Sequence, residues 1–191
     1  MMSRVLCLLV LAATSVFSTT LEKLALDDMI VKSTEIVRGR VLGVTSTRRG
    51  ALILTRIRVS VTERWKGADA ATVDVFLHGG TFQGLRQTFS GTPELSEGSE
   101  YVFFLWAGQS GNRQIIGLSQ GVLDIRPASS SPQTIDPAAA GGPKLMARRA
   151  AIAGMLDQAT GIEAQDSGFA IPLDQLRARV KNVLAQGGAA K

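Results

Sequence analysis

The sequence predicts a mainly β chain: a closed or partly open barrel of five to seven strands, with a helix on its N-terminal side and helices at its C-terminal end. Three observations carry this. In Ala51 to Trp65, ALILTRIRVSVTERW, the side chains of Ile53, Thr55, Ile57, Val59 and Val61 alternate with Arg56, Arg58, Ser60, Thr62 and Arg64. That period of two marks a long strand with one buried and one wet face. Strand-like runs flank it on both sides, bounded by turn residues. Finally, 45% hydrophobic against 19% charged residues over 191 positions supplies one domain with a sizeable core.

The first residues carry an address. Met1 to Arg4 is a short positive stretch, Val5 to Ala13 is apolar, and Thr14 to Thr20 offers small residues for cleavage. Val16 and Ser18 stand three and one positions before the expected cut, giving a signal peptide over 1–18. Its apolar run is too short to stay as a span, so no transmembrane segment is expected after its removal. Cys7, the only cysteine, lies inside it, and Arg4-Val5-Leu6 does not match a lipoprotein box. The mature chain is therefore expected to be secreted or periplasmic, bacterial, and without a thiol, disulfide or Cys-based metal site. Losing Arg4 leaves 20 basic against 16 acidic residues, a mild positive excess.

A barrel domain is expected over 19–126. Leu21 to Ser33 reads as an amphipathic helix lying on it. Ile36 to Thr45 reads as a strand in which Gly39 and Gly43 permit a bulge, and Thr47-Arg48-Arg49-Gly50 as the following hairpin turn. After the long strand come Thr72 to Leu77, a flexible loop His78 to Gly84, and a short strand over Leu85 to Ser90. Tyr101 to Trp106, YVFFLW, is apolar on both faces and predicts a central strand covered on both sides. Gln114 to Leu118 and Val122 to Ile125 close the β region. Beyond it, 127–142 is rich in Ala, Ser, Pro and Gly and reads as a flexible linker. Residues 143–191 read as a helical appendage, with helices over Lys144 to Gln158 and Leu173 to Ala185.

With the hairpin centred on Arg48 and Arg49, Arg40 falls opposite Arg58 and Leu42 opposite Arg56. Arg38, Arg40, Arg56 and Arg58 then share one basic outer face, the expected ligand-binding surface. A basic face suits an unknown protein partner or an anionic polymer. Nucleic acid is not expected: aromatics are only 5% of the chain, none stands among these arginines, and the chain carries an export signal.

The chemistry-bearing motifs point away from catalysis. Gly117-Leu118-Ser119-Gln120-Gly121 matches G-x-S-x-G, but that elbow requires a strand before it, a helix after it and a later histidine. Ser119 falls between two short strands, and the only histidine, His78, precedes it. His78 has no HxxxH or HxH neighbour for a metal site. Gly79 to Gly84 lacks the Lys-Ser/Thr of a phosphate loop. Glu94, Glu97 and Glu100 read as a solvated turn rather than a glycosidase pair. No catalytic residue, metal or cofactor is therefore expected.

The order of Leu24 to Val41 (LALDDMIVKSTEIVRGRV), the T-x-I-x-V-x-V strand ending Trp65-Lys66-Gly67, Gly79-Gly80, Gly91-Thr92-Pro93, Glu97-Gly98 and Tyr101 to Leu105 resembles a family of uncharacterised secreted bacterial proteins. The resemblance implies a small OB-like barrel and export, and no activity. A looser likeness is to netrin-like and metalloproteinase-inhibitor domains, whose zinc-chelating N-terminal cysteine the mature chain, expected to begin near Thr19, would lack. The function expected is an exported, non-enzymatic binding or interaction module; the alternatives are a secreted hydrolase and a protease inhibitor-like protein.

Overall fold

A computed structural model describes residues 21–108, 111–128, 144–152, 155–156, 163–164 and 166–188. The signal peptide expected over 1–18 and nearly all of the linker expected over 127–142 lie outside these residues. In chain order the elements are β1 (Leu21–Glu22), α1 (Leu26–Lys32), β2 (Glu35–Arg49), β3 (Leu52–Lys66), β4 (Thr72–His78), β5 (Gly80–Phe82), β6 (Leu85–Gln87), β7 (Glu100–Ala107), β8 (Arg113–Ile115), a 3-10 turn (Leu118–Gly121), β9 (Val122–Pro127), β10 (Leu145–Arg149), β11 (Met155–Leu156), β12 (Glu163–Ala164), β13 (Phe169–Pro172) and α2 (Leu173–Gly188).

Five strands close a ring in the order β7-β2-β3-β4-β8, with β8 returning to β7. Every junction is antiparallel except β4–β8, which is parallel and made at Val75 and Arg113. The sheet continues past β7 through β9 and β10 to β13. Side-chain alternation fills the ring: Val41, Ile57, Val59, Val75, Phe103 and Leu105 form its core, and each is almost wholly excluded from water. Along β3, Ile53, Thr55, Ile57 and Val59 face inward as the alternation requires.

β7 is the pivot. Tyr101, Phe103 and Leu105 point into the ring, while Val102 and Phe104 join a second apolar cluster outside it. There α1 contributes Met29 and Ile30, and α2 contributes Leu173, Leu176 and Val180. The i, i+3, i+7 spacing of the α2 set gives one stripe that lies on the sheet. Trp106, at the end of the same apolar run, departs from the expectation of double cover and is 48% exposed.

Ion pairs fasten the helices to the β structure. Glu63 on β3 accepts from Arg177 Nε and Nη2 of α2 at 2.8 and 2.7 Å, from Arg38 Nη1 at 2.5 Å and from the Trp65 indole N–H at 3.1 Å. Burial alone would raise the Glu63 carboxyl, but these hydrogen bonds and the Arg177 charge outweigh it and hold the pKa at about 2. Asp27 of α1 accepts from Arg179 of α2 at 2.7 and 3.1 Å, which keeps its carboxyl below the usual range. Lys66 Nζ donates to the carbonyls of Ile30 and Val31, at the C-terminal end of α1.

Four local expectations need correction. The β2–β3 hairpin turns at Gly50 and Ala51, with Arg49 paired to Leu52, rather than at Arg48 and Arg49. Gly50 takes the left-handed conformation (φ +61°) that lets so short a connection reverse. Three register shifts follow along the ladder, between Val41 and Gly43, between Arg38 and Gly39 and between Ile36 and Val37, the first two at the glycines that suggest them. A Cβ on Gly39 would stand 2.5 Å from the Ser60 carbonyl oxygen and from Val59 Cγ1, so that backbone approach requires glycine. The outcome is that Arg40 pairs with Ser60, Arg58 with Gly43, Arg56 with Thr45 and Arg38 with Glu63.

The stretch expected as a loop after His78 contains the β5–β6 hairpin, with Thr81 opposite Arg86. The helix expected over Lys144 to Gln158 is instead strand β10 followed by the short β11. The open edge of β9 offers four paired positions to Leu145–Arg148, and Ala147 is small enough to be fully buried with Leu173 and Leu176. Tertiary pairing overrides a weak helix propensity here. A single helix, α2, therefore stands at the C-terminal end of the described chain.

Candidate functional site

The arginine face is not uniform. Arg38 is held between Glu63 and Glu100, its Nη2 donating to Glu100 Oε2 at 3.0 Å, and its side chain is only 16% exposed. Arg58 donates to both carboxylate oxygens of Asp74, at 3.0 and 3.3 Å; those hydrogen bonds hold the Asp74 carboxyl below the usual range. Arg40 donates to the Gly98 carbonyl at 2.6 Å. Of the four, Arg56 makes neither a salt bridge nor a hydrogen bond among the described residues, although its charge helps to lower the Asp74 carboxyl.

Arg56 belongs to a different group. It lines a cleft of about 180 Å³ with Arg49, His78, Asn112 and Gln114, floored by Leu54, Phe76 and Leu77. Three parts of the fold meet there. The β2–β3 hairpin brings Arg49 and Leu54, the end of β4 brings Phe76 and His78, and β8 with the residue before it brings Gln114 and Asn112. In the β3–β4 ladder Arg56 stands opposite Phe76, and Leu54 opposite His78. An aromatic ring therefore does stand beside an arginine of this face, contrary to expectation. Neither Arg49 nor Arg56 makes a salt bridge among the described residues, and no carboxylate lines the cleft.

Two guanidinium forks and the N–H groups of an imidazole and two amides are a donor-rich set. Such a set recognises an anion with planar or tetrahedral oxygens: carboxylate, sulfate or phosphate. Arg49, Phe76, Asn112 and Gln114 went unremarked as site residues in the sequence. Arg49 had a signal in its position beside the hairpin turn. Asn112 and Gln114 had none, because only ring closure brings β8 against β4.

On the other side of Leu77 and His78, a larger cavity of about 510 Å³ opens between the end of the ring and the connection from β5 to β7. Val44, Ile57, Leu77, Phe89 and Leu95 give it apolar walls. Within it Thr55 Oγ1 donates to the Gly79 carbonyl at 2.6 Å and lies 2.9 Å from Ser46 Oγ. The His78 ring packs edge-on to Phe89, with centroids 6.0 Å apart. Glu94 and Arg86 stand exposed at its rim, 4.0 Å apart.

The remaining sequence motifs have structural uses. Ser119 lies in the 3-10 turn between β8 and β9, its backbone N–H donating to the Gly91 carbonyl. Gly117 takes φ +60°, and a Cβ there would stand 2.8 Å from Leu24 Cδ1. Gln120, fully buried, accepts from Leu24 N–H at 2.8 Å and donates to the Glu22 carbonyl at 2.7 Å. The motif is a turn that pins the N-terminal segment. Glu97 accepts from the Val44 N–H and Glu100 from Arg38 and Thr62, while Glu94 points to Arg86. The three carboxylates thus serve separate partners. No family model matches the chain, and neither a curated protein nor a solved structure matches it significantly.

Proposed function

We propose that the protein is an exported, non-enzymatic binding module whose five-strand ring is an OB-like barrel and whose ligand presents an anionic group to Arg49 and Arg56. Two features support the fold assignment. The β2-β3-β4 meander returns through β7 and β8 with a single parallel junction at β4–β8, as an OB-like Greek key does. Such barrels bind ligands on their second and third strands, between the first hairpin and the last connection. The cleft lies at that place, on β3 and β4, beside the β2–β3 hairpin and the approach to β8.

The observation that carries the reading is the contrast in pairing. Arg38 and Arg58 are neutralised by acids within the fold, whereas Arg49 and Arg56 converge on a cleft with no carboxylate in its lining. Asp74 feels the Arg56 charge but is hydrogen-bonded to Arg58, so an external anion supplies the direct counter-charge that the two cleft guanidinium groups do not find among the described residues.

The test is a titration of the full chain with sodium sulfate and with sodium galacturonate at constant ionic strength, followed by amide chemical shifts. Shifts confined to the cleft, lost in Arg49→Gln/Arg56→Gln and kept in Arg58→Gln, support the assignment. Shifts spread over all arginines, or none, overturn it. Export is tested by fractionating bacterial cells that express the full chain. A periplasmic product beginning at Thr19 supports it, and a cytoplasmic product retaining Met1 overturns it.

A further inference from the structure

The cleft does not end at Gln114. Across the ring, Arg56 on β3 stands opposite Phe76 on β4; Val75 pairs with Arg113 on β8, so Gln114 follows Phe76 in the parallel register; and Gln114 stands opposite Trp106 on β7. The neighbours of these residues, Ile57, Val75, Leu105 and Ile115, all point into the ring core. Arg56, Phe76, Gln114 and Trp106 therefore lie in one row on the outer face. Three inter-strand steps carry that row about 14 Å along the sheet surface.

The far end of the row is a second, shallower depression. Gln114 lines both the cleft and this depression, where Trp106 and Lys32 are its neighbours. The indole is 48% exposed and packs over Gly108, where a Cβ would stand 3.0 Å from the ring. Lys32, the last residue of α1, makes no salt bridge among the described residues. The surface thus reads as two arginines, an aromatic ring, an amide, an exposed indole and a lysine.

Resting on the anion site proposed above, we infer that this row is an extended subsite for an acidic oligosaccharide. One carboxylate or sulfate occupies the arginine cleft, and the adjoining sugar rings lie across Phe76, Gln114 and Trp106. An aromatic face stacks against the C–H face of a sugar ring through dispersion and burial of apolar area. The Gln114 amide offers both a donor and an acceptor to neighbouring hydroxyls. A further acidic group falls near Lys32.

Charge spacing separates this ligand from a nucleic acid. A stacked single strand carries one phosphate about every 3.4 Å, hence about four along the row. Within the row only Arg56 is a cation; Phe76, Gln114 and Trp106 are neutral, and Lys32 stands beyond Trp106. An oligosaccharide in which acidic rings alternate with neutral ones fits that pattern.

The experiment is isothermal titration of the full chain with glucuronate, a hexasaccharide of alternating glucuronate and N-acetylglucosamine (the acidic hexamer), a neutral glucose hexamer and a six-nucleotide oligothymidylate. The acidic hexamer binds at least ten-fold tighter than the monomer, and the neutral hexamer binds more weakly than the acidic one. Trp106→Ala weakens the acidic hexamer by about ten-fold, within the range for loss of one aromatic platform, and leaves the monomer within about two-fold. Trp106→Phe, which keeps a ring, retains most of the hexamer affinity and guards against misfolding as the cause. If the monomer binds but the hexamer is no tighter, or is indifferent to Trp106→Ala, the extended subsite is overturned while the anion cleft stands. Binding of neither overturns both. Tighter binding of oligothymidylate than of the acidic hexamer overturns the glycan and assigns the row to nucleic acid.

Discussion

Glu63 ties α2 to the ring through Arg177, beside the apolar stripe of the helix, and its removal has a calculable effect. The folded carboxyl titrates at about 2 against 4.5 when unperturbed. Because the folded pKa is depressed, its contribution is complete above pH 4.5 and is lost as pH falls from 4.5 toward 2. Taken at face value the difference corresponds to about 3 kcal/mol. Screening of a side chain still 27% exposed lowers the expected value to about 2 kcal/mol.

Glu63→Gln keeps the shape and removes the charge. The Arg38 side chain retains Glu100, and Arg177, 35% exposed, falls back on water. At pH 7 the variant is therefore expected to be less stable by about 2 kcal/mol, which for a chain of this size lowers Tm by about 4–8 °C. The assay is urea unfolding of wild type and Glu63→Gln from pH 7 to pH 2.5, read by far-ultraviolet circular dichroism. In a Trp106→Phe background, fluorescence of Trp65, whose indole N–H donates to Glu63, reports the same junction. The difference between the two proteins should be constant above pH 5 and shrink toward zero near pH 2. A difference that is absent at pH 7, or that does not narrow on acidification, would refute the reasoning.

Three further substitutions, with two as controls, probe the fold. Gly39→Ala places a Cβ against Val59 and the Ser60 carbonyl and should cost about 1–3 kcal/mol by overpacking, with a urea midpoint near wild type as the contrary result. Leu176→Ala removes a fully buried side chain from the outer cluster; a loss of about 2–5 kcal/mol is expected, whereas the exposed Lys181→Ala should fall within about 0.5 kcal/mol of wild type. Gln120→Leu leaves the Leu24 N–H and the Glu22 carbonyl without their partner at a cost of about 1–3 kcal/mol. Ser119→Ala, which keeps the backbone bond to Gly91, should change thermal stability little; a large loss would contradict the structural reading of that turn.

The strands were legible because their periodicity is local. Ile53 to Val59 alternate in the sequence and alternate in the ring, and the doubly apolar run from Tyr101 to Leu105 is buried on both faces. The pairing of those strands was less legible. Moving the turn from Arg48–Arg49 to Gly50–Ala51 and inserting shifts at Gly39 and Gly43 rearranged every cross-strand partner of the four arginines. A turn type and a bulge are decided by one or two residues, yet they set the register of fifteen-residue strands. β10 shows the opposite limit: Leu145–Arg149 has no alternation strong enough to announce a strand, and the free edge of β9 determines its state.

The same distinction explains what became of the basic face. A count of arginines treats each as equal, but charge on a surface acts through what remains after internal pairing. Register gives Arg38 to Glu63 and Glu100, and Arg58 to Asp74. It leaves Arg56 beside Phe76, and it carries Arg49 past the last acid of the ladder to the hairpin tip. Had the turn lain at Arg48–Arg49, Arg58 would face Arg40 and the repulsion would fall in the middle of the sheet. The observed register instead spreads the paired arginines along the wall of the ring and leaves Arg49 and Arg56, which make no salt bridge among the described residues, on the cleft beside the hairpin.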